Sequence, residues 1–224
     1  MRLADLCWPD LTERSAASIL AIPVGSTEQH GPHLPLSTDT DIALAVADRA
    51  AASRTDLLVA PPVAYGSSGE HAGFAGTLSV GQAAVEQTLI ELVRSASAFR
   101  AIVIVSAHGG NASPVAAAVA RLAPEGHDVL AWSPDLAGDL HAGRSETSML
   151  LAIAPDLVRL DRAEAGDLRA LPELIGALRS GGVASVSPNG VLGDPAGASA
   201  DEGTHLLESL AASLVRAIDG RWPE

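Results

Sequence analysis

Three short stretches of this chain concentrate side chains that can bind a cation or move a proton. The densest is GSTEQHGPHLPLSTD, residues 25–39, which carries Glu28, His30, His33 and Asp39 among two glycines and two prolines. In an extended segment, residues two apart point the same way, so Glu28 and His30 can converge. Asp39, just before an expected helix, can swing back to the same point. Carboxylate and imidazole donors without a thiolate suit Zn²⁺, Mn²⁺ or Fe²⁺. The same residues also fit a polar surface loop in which Asp39 or Thr40 caps the helix.

The second stretch is His108-Gly-Gly-Asn111. A histidine there, at the end of a strand and before two small residues, can present its ring above a sheet, whereas Asn111 reads as a cap for the following helix. The third is HAGRSETS, residues 141–148, with His141 and Glu146. Glu146 falls at the expected start of a helix, where a negative charge also suits the helix dipole. Glu70 and His71, in a glycine-rich loop, fit a pocket lining or a mobile rim equally well. His127 and His205 lack matching partners. No Gly-x-Ser-x-Gly elbow occurs, and the single cysteine, Cys7, has no base beside it, so serine or cysteine nucleophiles lack support.

Short apolar runs at 19–24, 57–61, 101–106 and 129–133 read as buried strands. Between them, residues 41–52, 82–97 and 114–122 carry apolar side chains at helical spacing, and 201–218 reads as a closing helix with Asp201 and Glu202 at its positive end. Strands alternating with helices predict an α/β fold, a mostly parallel central sheet covered on both faces. No repeat or low-complexity linker divides residues 1–224, so one domain is expected. In such a sheet ligands sit beyond the carboxyl ends of the strands, which is where the first two stretches fall. The glycine-dense loops 65–76 and 187–197 are the candidates for reading a substrate.

Composition narrows the chemistry further. The 224 residues hold 27 acids against 14 basic residues, a formal net charge of −13. That balance argues against a nucleic-acid partner, which needs a basic patch. Every basic residue is arginine, so chemistries that need a lysine amine are excluded. One cysteine rules out a disulfide framework and a thiolate zinc site. No apolar run approaches a membrane span, and the N-terminal MRLADLCWP lacks the apolar core of a signal peptide. A cytoplasmic protein with no membrane partner is the resulting expectation.

The ordered motifs PVGSTEQHGPHLPLSTDTD, YGSSGEHAGFAGT, SAHGGN, HAGRSETS and NGVLGDPAGAS together resemble the creatininase family of metal-dependent amidohydrolases, over about residues 20–203. The resemblance implies a single α/β/α domain, commonly a homo-oligomer, with two divalent metal ions per chain (zinc, iron or manganese) that hydrolyse amide-type C–N bonds. Residue by residue, it implies that Glu28, His30, Asp39 and His108 are metal ligands, with Asp39 bridging. Creatinine-hydrolysing members carry a glutamate ligand where this chain has Gly110, and a glutamate beside the matching histidine where it has Leu140. Those departures count against creatinine as the substrate, and Glu146 is the candidate to replace the missing carboxylate.

Within the family, the string is most similar to members that cleave a modified precursor peptide and release its small C-terminal core derived from Val and Tyr. A metal-activated water is then the nucleophile. His141 is the candidate to protonate the leaving nitrogen or hold the intermediate, for which an ordinary histidine pKa of about 6.5 is suitable. The alternatives are a small-molecule amidohydrolase or formamide deformylase, and a non-catalytic metal-binding protein.

Overall fold

Alternation of side chains along the strands explains how the core divides. In β1 (Ile19–Val24) every residue is buried; Ile19 and Ala21 face one side of the sheet, and Leu20, Ile22 and Val24 the other. β2 (Leu57–Val59), β3 (Ala101–Ser106) and β4 (Val129–Trp132) complete a sheet of order β2-β1-β3-β4, parallel throughout. The computed structural model describes residues 1–135 and 140–223.

Helices cover both faces, as two-sided apolar strands require. After a short α1 (Trp8–Leu11), α2 (Thr38–Ser53) packs on the face of Ile19 and Ala21, whereas α3 (Gln82–Ser95) and α4 (Ala112–Leu122) pack on the opposite face. In α3 the buried residues are Val85, Leu89, Ile90 and Val93, one stripe of a helix. α5 (Arg144–Ile153) and α7 (Ala200–Arg221) join α2 on the first face. Ser199 caps α7 by accepting a hydrogen bond from the Glu202 amide. A side chain at Gly203 would strike the Ser148 carbonyl, so glycine lets α7 and α5 come together. α6 (Leu171–Gly181) stands apart: its Leu174 is buried in a small cluster with Val183 and Leu192, away from both main cores.

The strand order positions the site. From β1 the chain moves outward to β2, then crosses back over β1 to reach β3. The direction of winding thus reverses between β1 and β3, and at such a point the segments leaving the two strands open a crevice. Val24 and Ser106 are paired at the end of the ladder, and the Ala107 amide donates to the Val24 carbonyl. The segments beginning at Gly25 and Ala107 therefore leave the sheet side by side.

The expected elements are present with shifted ends. The strands anticipated at 57–61 and 129–133 stop at Val59 and Trp132; Pro61 and Pro62, lacking N–H groups, cannot extend the first ladder. The helices anticipated from 41 and 114 begin earlier, at Thr38 and Ala112, and the one anticipated to 97 ends at Ser95. The closing helix extends beyond 201–218 at both ends. Asp39 consequently lies in the first turn of α2 rather than before it. α6 was not anticipated from the sequence at all.

Candidate metal centre

The loop after β1 folds back onto α2 through its own side chains. Ser26 Oγ donates to Asp39 Oδ2 at 2.7 Å, and Thr40 Oγ1 donates to the Ser26 carbonyl at 2.9 Å. A side chain at Gly25 would collide with the Thr40 backbone, so glycine is required for this approach. Neither Asp39 nor Thr40 caps α2; Ser37 holds that position. Asn111 stands at the N-cap of α4 as expected, but its side chain makes no cap hydrogen bond and is engaged across the crevice instead. Its Oδ1 accepts from the Ser67 amide and its Nδ2 donates to the Gly25 carbonyl, each at 2.9 Å. One side chain after β3 thus ties together the segments that follow β1 and β2.

These ties bring six of the expected residues to one centre. Asp39 turns Oδ1 to His30 Nε2 and Oδ2 to His108 Nδ1, each at 3.1 Å. Glu28 is completely buried, with Oε2 at 3.2 Å from His108 Nε2 and Oε1 at 3.2 Å from His71 Nε2. Neither contact has hydrogen-bond geometry, so both Glu28 oxygens are without a hydrogen-bond partner among the described residues. Glu146, in the first turn of α5, accepts from the Ala142 amide at 2.6 Å and lies 4.0 Å from His30 Nε2. It therefore meets both readings of its position, a helix-start acid and a residue of the centre. His141 Nδ1 lies 3.9 Å from Glu28 Oε1. Ala142 beside it is the one non-glycine residue with positive φ (53°) among those described, a strained conformation of the kind found where a site is held in place.

Among the described residues, three overlapping sets have ligating atoms within 4.8 Å of one another: Glu28–Asp39–His108, His30–His141–Glu146 and Glu28–His71–His141. A buried carboxylate lacking any donor costs several kcal/mol unless a cation compensates it. The orphaned oxygens of Glu28, within a shell of carboxylates and imidazoles, thus fit divalent cations.

The fields inside the centre are strong. Burial, then the nearby Asp39 carboxylate, push Glu28 up to about 7. Burial acts against charge on His30, yet the Asp39 carboxylate outweighs it and raises this imidazole to about 10. His108 rises to about 9 against the same penalty, again through Asp39. Asp39 itself is held well below the usual carboxylate range, with burial overcome by His30 and His108. Burial, reinforced by charge on His30, lowers His71 to about 3 and holds His141 well below its ordinary value. His141 is therefore neutral near pH 7, unlike the partly protonated group that an ordinary pKa of about 6.5 gives.

Some residues fall elsewhere. His33 turns its Nε2 to Thr147 Oγ1 at 2.9 Å, against α5. His127 and His205 take no part. His71 is the residue whose place the sequence did not settle: it is buried at the centre rather than on a rim. Its only signal is a histidine in the loop after β2, next to β1 in the sheet. Gly110 explains a departure from the creatinine-hydrolysing pattern. Any side chain there would strike the Ser67 carbonyl, His108 Nε2 and Glu70 Oε1, so the Glu70 carboxylate reaches into that space instead.

A cavity of about 990 Å³ opens over the centre. Glu28, Glu70, His71, His108 and His141 line it, and α6 forms another wall through Leu171, Ile175, Leu178 and Arg179. Among the described residues no helix is long and apolar enough to cross a membrane.

A buried carboxylate–imidazole centre at the switch point of a parallel α/β sheet defines a metal-dependent hydrolase, and the chain belongs to the creatininase family: the family model, described as creatinine amidohydrolase, matches residues 4–218. A creatininase structure with manganese in its name superposes with a TM-score of 0.86 at 26% identity, covering 100% of this chain and 99% of that one. Among named relatives, the chain is 50% identical over 216 residues to the mycofactocin precursor peptide peptidase of Mycolicibacterium smegmatis, spanning 93% of this chain and 87% of the relative. It is 46% identical over 220 residues to the protein of that name from Mycobacterium tuberculosis, over 93% and 87% of the two chains.

Proposed function

We propose that this chain is the peptidase that cleaves the modified mycofactocin precursor peptide, releasing its small C-terminal core derived from Val and Tyr. The observation that carries the reading is the buried, donorless Glu28 carboxylate at a cavity large enough for a peptide segment. Half-identity to a named precursor peptidase supports the substrate class.

Glu28, His30, Asp39, His108 and Glu146 would hold two divalent cations, zinc, iron or manganese, with Asp39 shared because its two oxygens face two different imidazoles. Bound there, the cations would supply a Lewis acid for the scissile carbonyl and a water acidic enough to attack it near neutral pH. His141 keeps Nε2 on the Gln29 carbonyl at 2.8 Å, which leaves Nδ1 to take up a proton and pass it to the leaving nitrogen. The apolar side chains of α6 would seat the peptide and exclude water from the reacting bond. A homo-oligomer, in keeping with the exposed Tyr65, Leu78 and Val80, and a cytoplasmic location complete the reading.

The test is incubation of the purified chain with the modified precursor peptide, followed by mass spectrometry. The expected outcome is a shortened leader plus the small core, lost on chelation and restored by divalent cation. Turnover of a formamide or small cyclic amide with the peptide left intact would replace the substrate class. Peptide cleavage that survives full metal removal would sink the metal chemistry.

A further inference from the structure

Four histidines surround the Glu28 carboxylate or its Asp39 neighbour, and their outward ring nitrogens distinguish them. His30 Nδ1 lies 3.2 Å from the Glu28 carbonyl, His108 Nε2 3.0 Å from the Ser67 carbonyl, and His141 Nε2 2.8 Å from the Gln29 carbonyl. A carbonyl oxygen only accepts, so each of these nitrogens carries a hydrogen. That leaves His30 Nε2, His108 Nδ1 and His141 Nδ1 as the atoms able to present a lone pair inward; for His30 and His108 this is the arrangement by which backbone carbonyls orient metal-binding histidines.

His71 is wired the other way. Its outward Nδ1 meets no carbonyl but the side-chain amide of Gln29, with Nε2 of that amide 2.8 Å away. The orientation of the amide follows from its other partners. Gln29 Oε1 accepts from the Gly31 backbone N–H at 2.8 Å, and Gln29 Nε2 lies 3.1 Å from the Gly190 carbonyl. Exchanging the oxygen and nitrogen would set donor against donor at Gly31 and acceptor against acceptor at Gly190. The amide has two hydrogens, and Gly190 O and His71 Nδ1 are the two acceptors. His141 Nε2, 3.0 Å away, already donates to the Gln29 carbonyl. Gly190 has φ of 79°, and a side chain there would collide with Gln29 Oε1, so the amide is held in a closely fitted cage.

With Nδ1 accepting, the proton of neutral His71 resides on Nε2, which faces Glu28 Oε1 at 3.2 Å and borders the cavity. We infer that Gln29 fixes the tautomer of His71, so that His71 offers the centre an N–H donor and is not a metal ligand, in contrast to His30 and His108. The Glu28–His71–His141 set then holds no cation. His71 acts as a positioning residue, its Nε2–H facing the Glu28 carboxylate at 3.2 Å without a hydrogen bond to it.

The ligand part of the inference rests on the two-cation reading above; the tautomer does not. Nitrogen-15 NMR of the metal-free wild-type chain at neutral pH reads the tautomer directly. The expected spectrum places His71 Nδ1 among bare ring nitrogens and Nε2 among protonated ones; the reverse assignment overturns the inference. Gln29→Glu, which turns the amide donor into an acceptor, should move the proton to Nδ1. Metal analysis of reconstituted variants reads the other half. His71→Gln should retain the wild-type metal content, whereas His108→Gln should lose about half of it. Loss of an ion from His71→Gln overturns the assignment. A wild-type chain that takes up no divalent cation defeats the two-cation reading, and the tautomer assignment still decides the role of Gln29.

Discussion

The segments leaving β1 and β3 and the helix α6 face the same cavity, yet they are held by different means. The first are fastened on every side: Asn111 bridges three loops, Ser26 and Thr40 lock the start of α2, and α2 lies on a sheet face packed by residues from several elements. α6 is anchored mainly by Leu174 in a cluster of three buried residues, with Phe74, Leu178 and Val186 beside it, and its Leu171 remains exposed. The difference teaches a division of labour. Charged groups that must be placed within tenths of an ångström belong on the tightly packed side. A wall that only has to fit a substrate can rest on a small satellite core and be reshaped at little cost to the fold.

The largest effect that could break this comparison is on the fastened side. Asp39→Asn removes the carboxylate that faces both His30 and His108, and is expected to cut metal affinity and turnover by about a hundred-fold or more, since even supporting residues around a metal cost about ten- to a hundred-fold. Metal content and steady-state turnover of the same preparation check it, and near-normal values for both would show that the shared position of Asp39 is incidental.

A matched pair of deletions sharpens the comparison next. Leu89 and Leu174 are both fully buried, but Leu89 lies under the sheet and Leu174 under α6 alone. Leu89→Ala should lower the free energy of unfolding by about 3 kcal/mol. Leu174→Ala should act locally, with amide exchange accelerated in α6 and unchanged protection in β1 and β3. Loss of protection throughout the sheet in Leu174→Ala would show that α6 is no separate unit. The smallest effect is expected at the cavity face of α6. Ile175→Asp should raise KM for the peptide about ten-fold and leave kcat within about two-fold, because uniform binding is lost and not transition-state stabilisation. A collapse of kcat instead would bring α6 into the chemistry.

How much of this was legible in the sequence follows from the same physics. The strands declared themselves because two-sided burial leaves unbroken runs such as Ile19–Val24, and Glu28, His30 and His108 because they lie in the segments leaving β1 and β3. The side-chain partners of Asp39 and Asn111 were not legible, because a cap is a local pattern whereas His30, His108, Ser67 and Gly25 are brought to them by the crossing of loops. α6 escaped because it faces a cavity and a three-residue cluster, with Pro172 and Gly176 interrupting its apolar pattern. Gln29 left no trace, since the role of a lone amide depends on which nitrogen of which ring it meets. Membership of the family was legible because the motifs run in order along most of the chain.

The winding of the sheet also sets a timetable. Glu28 follows β1, His108 follows β3, and the chain between them must first lay down β2 and two crossover helices. Parallel pairing is non-local and slow to nucleate, so the carboxylates stay hydrated through the early stages of folding. The centre closes only when β3 docks beside β1. A chain that has not finished folding therefore has no centre with which to hydrolyse a peptide bond, its own included.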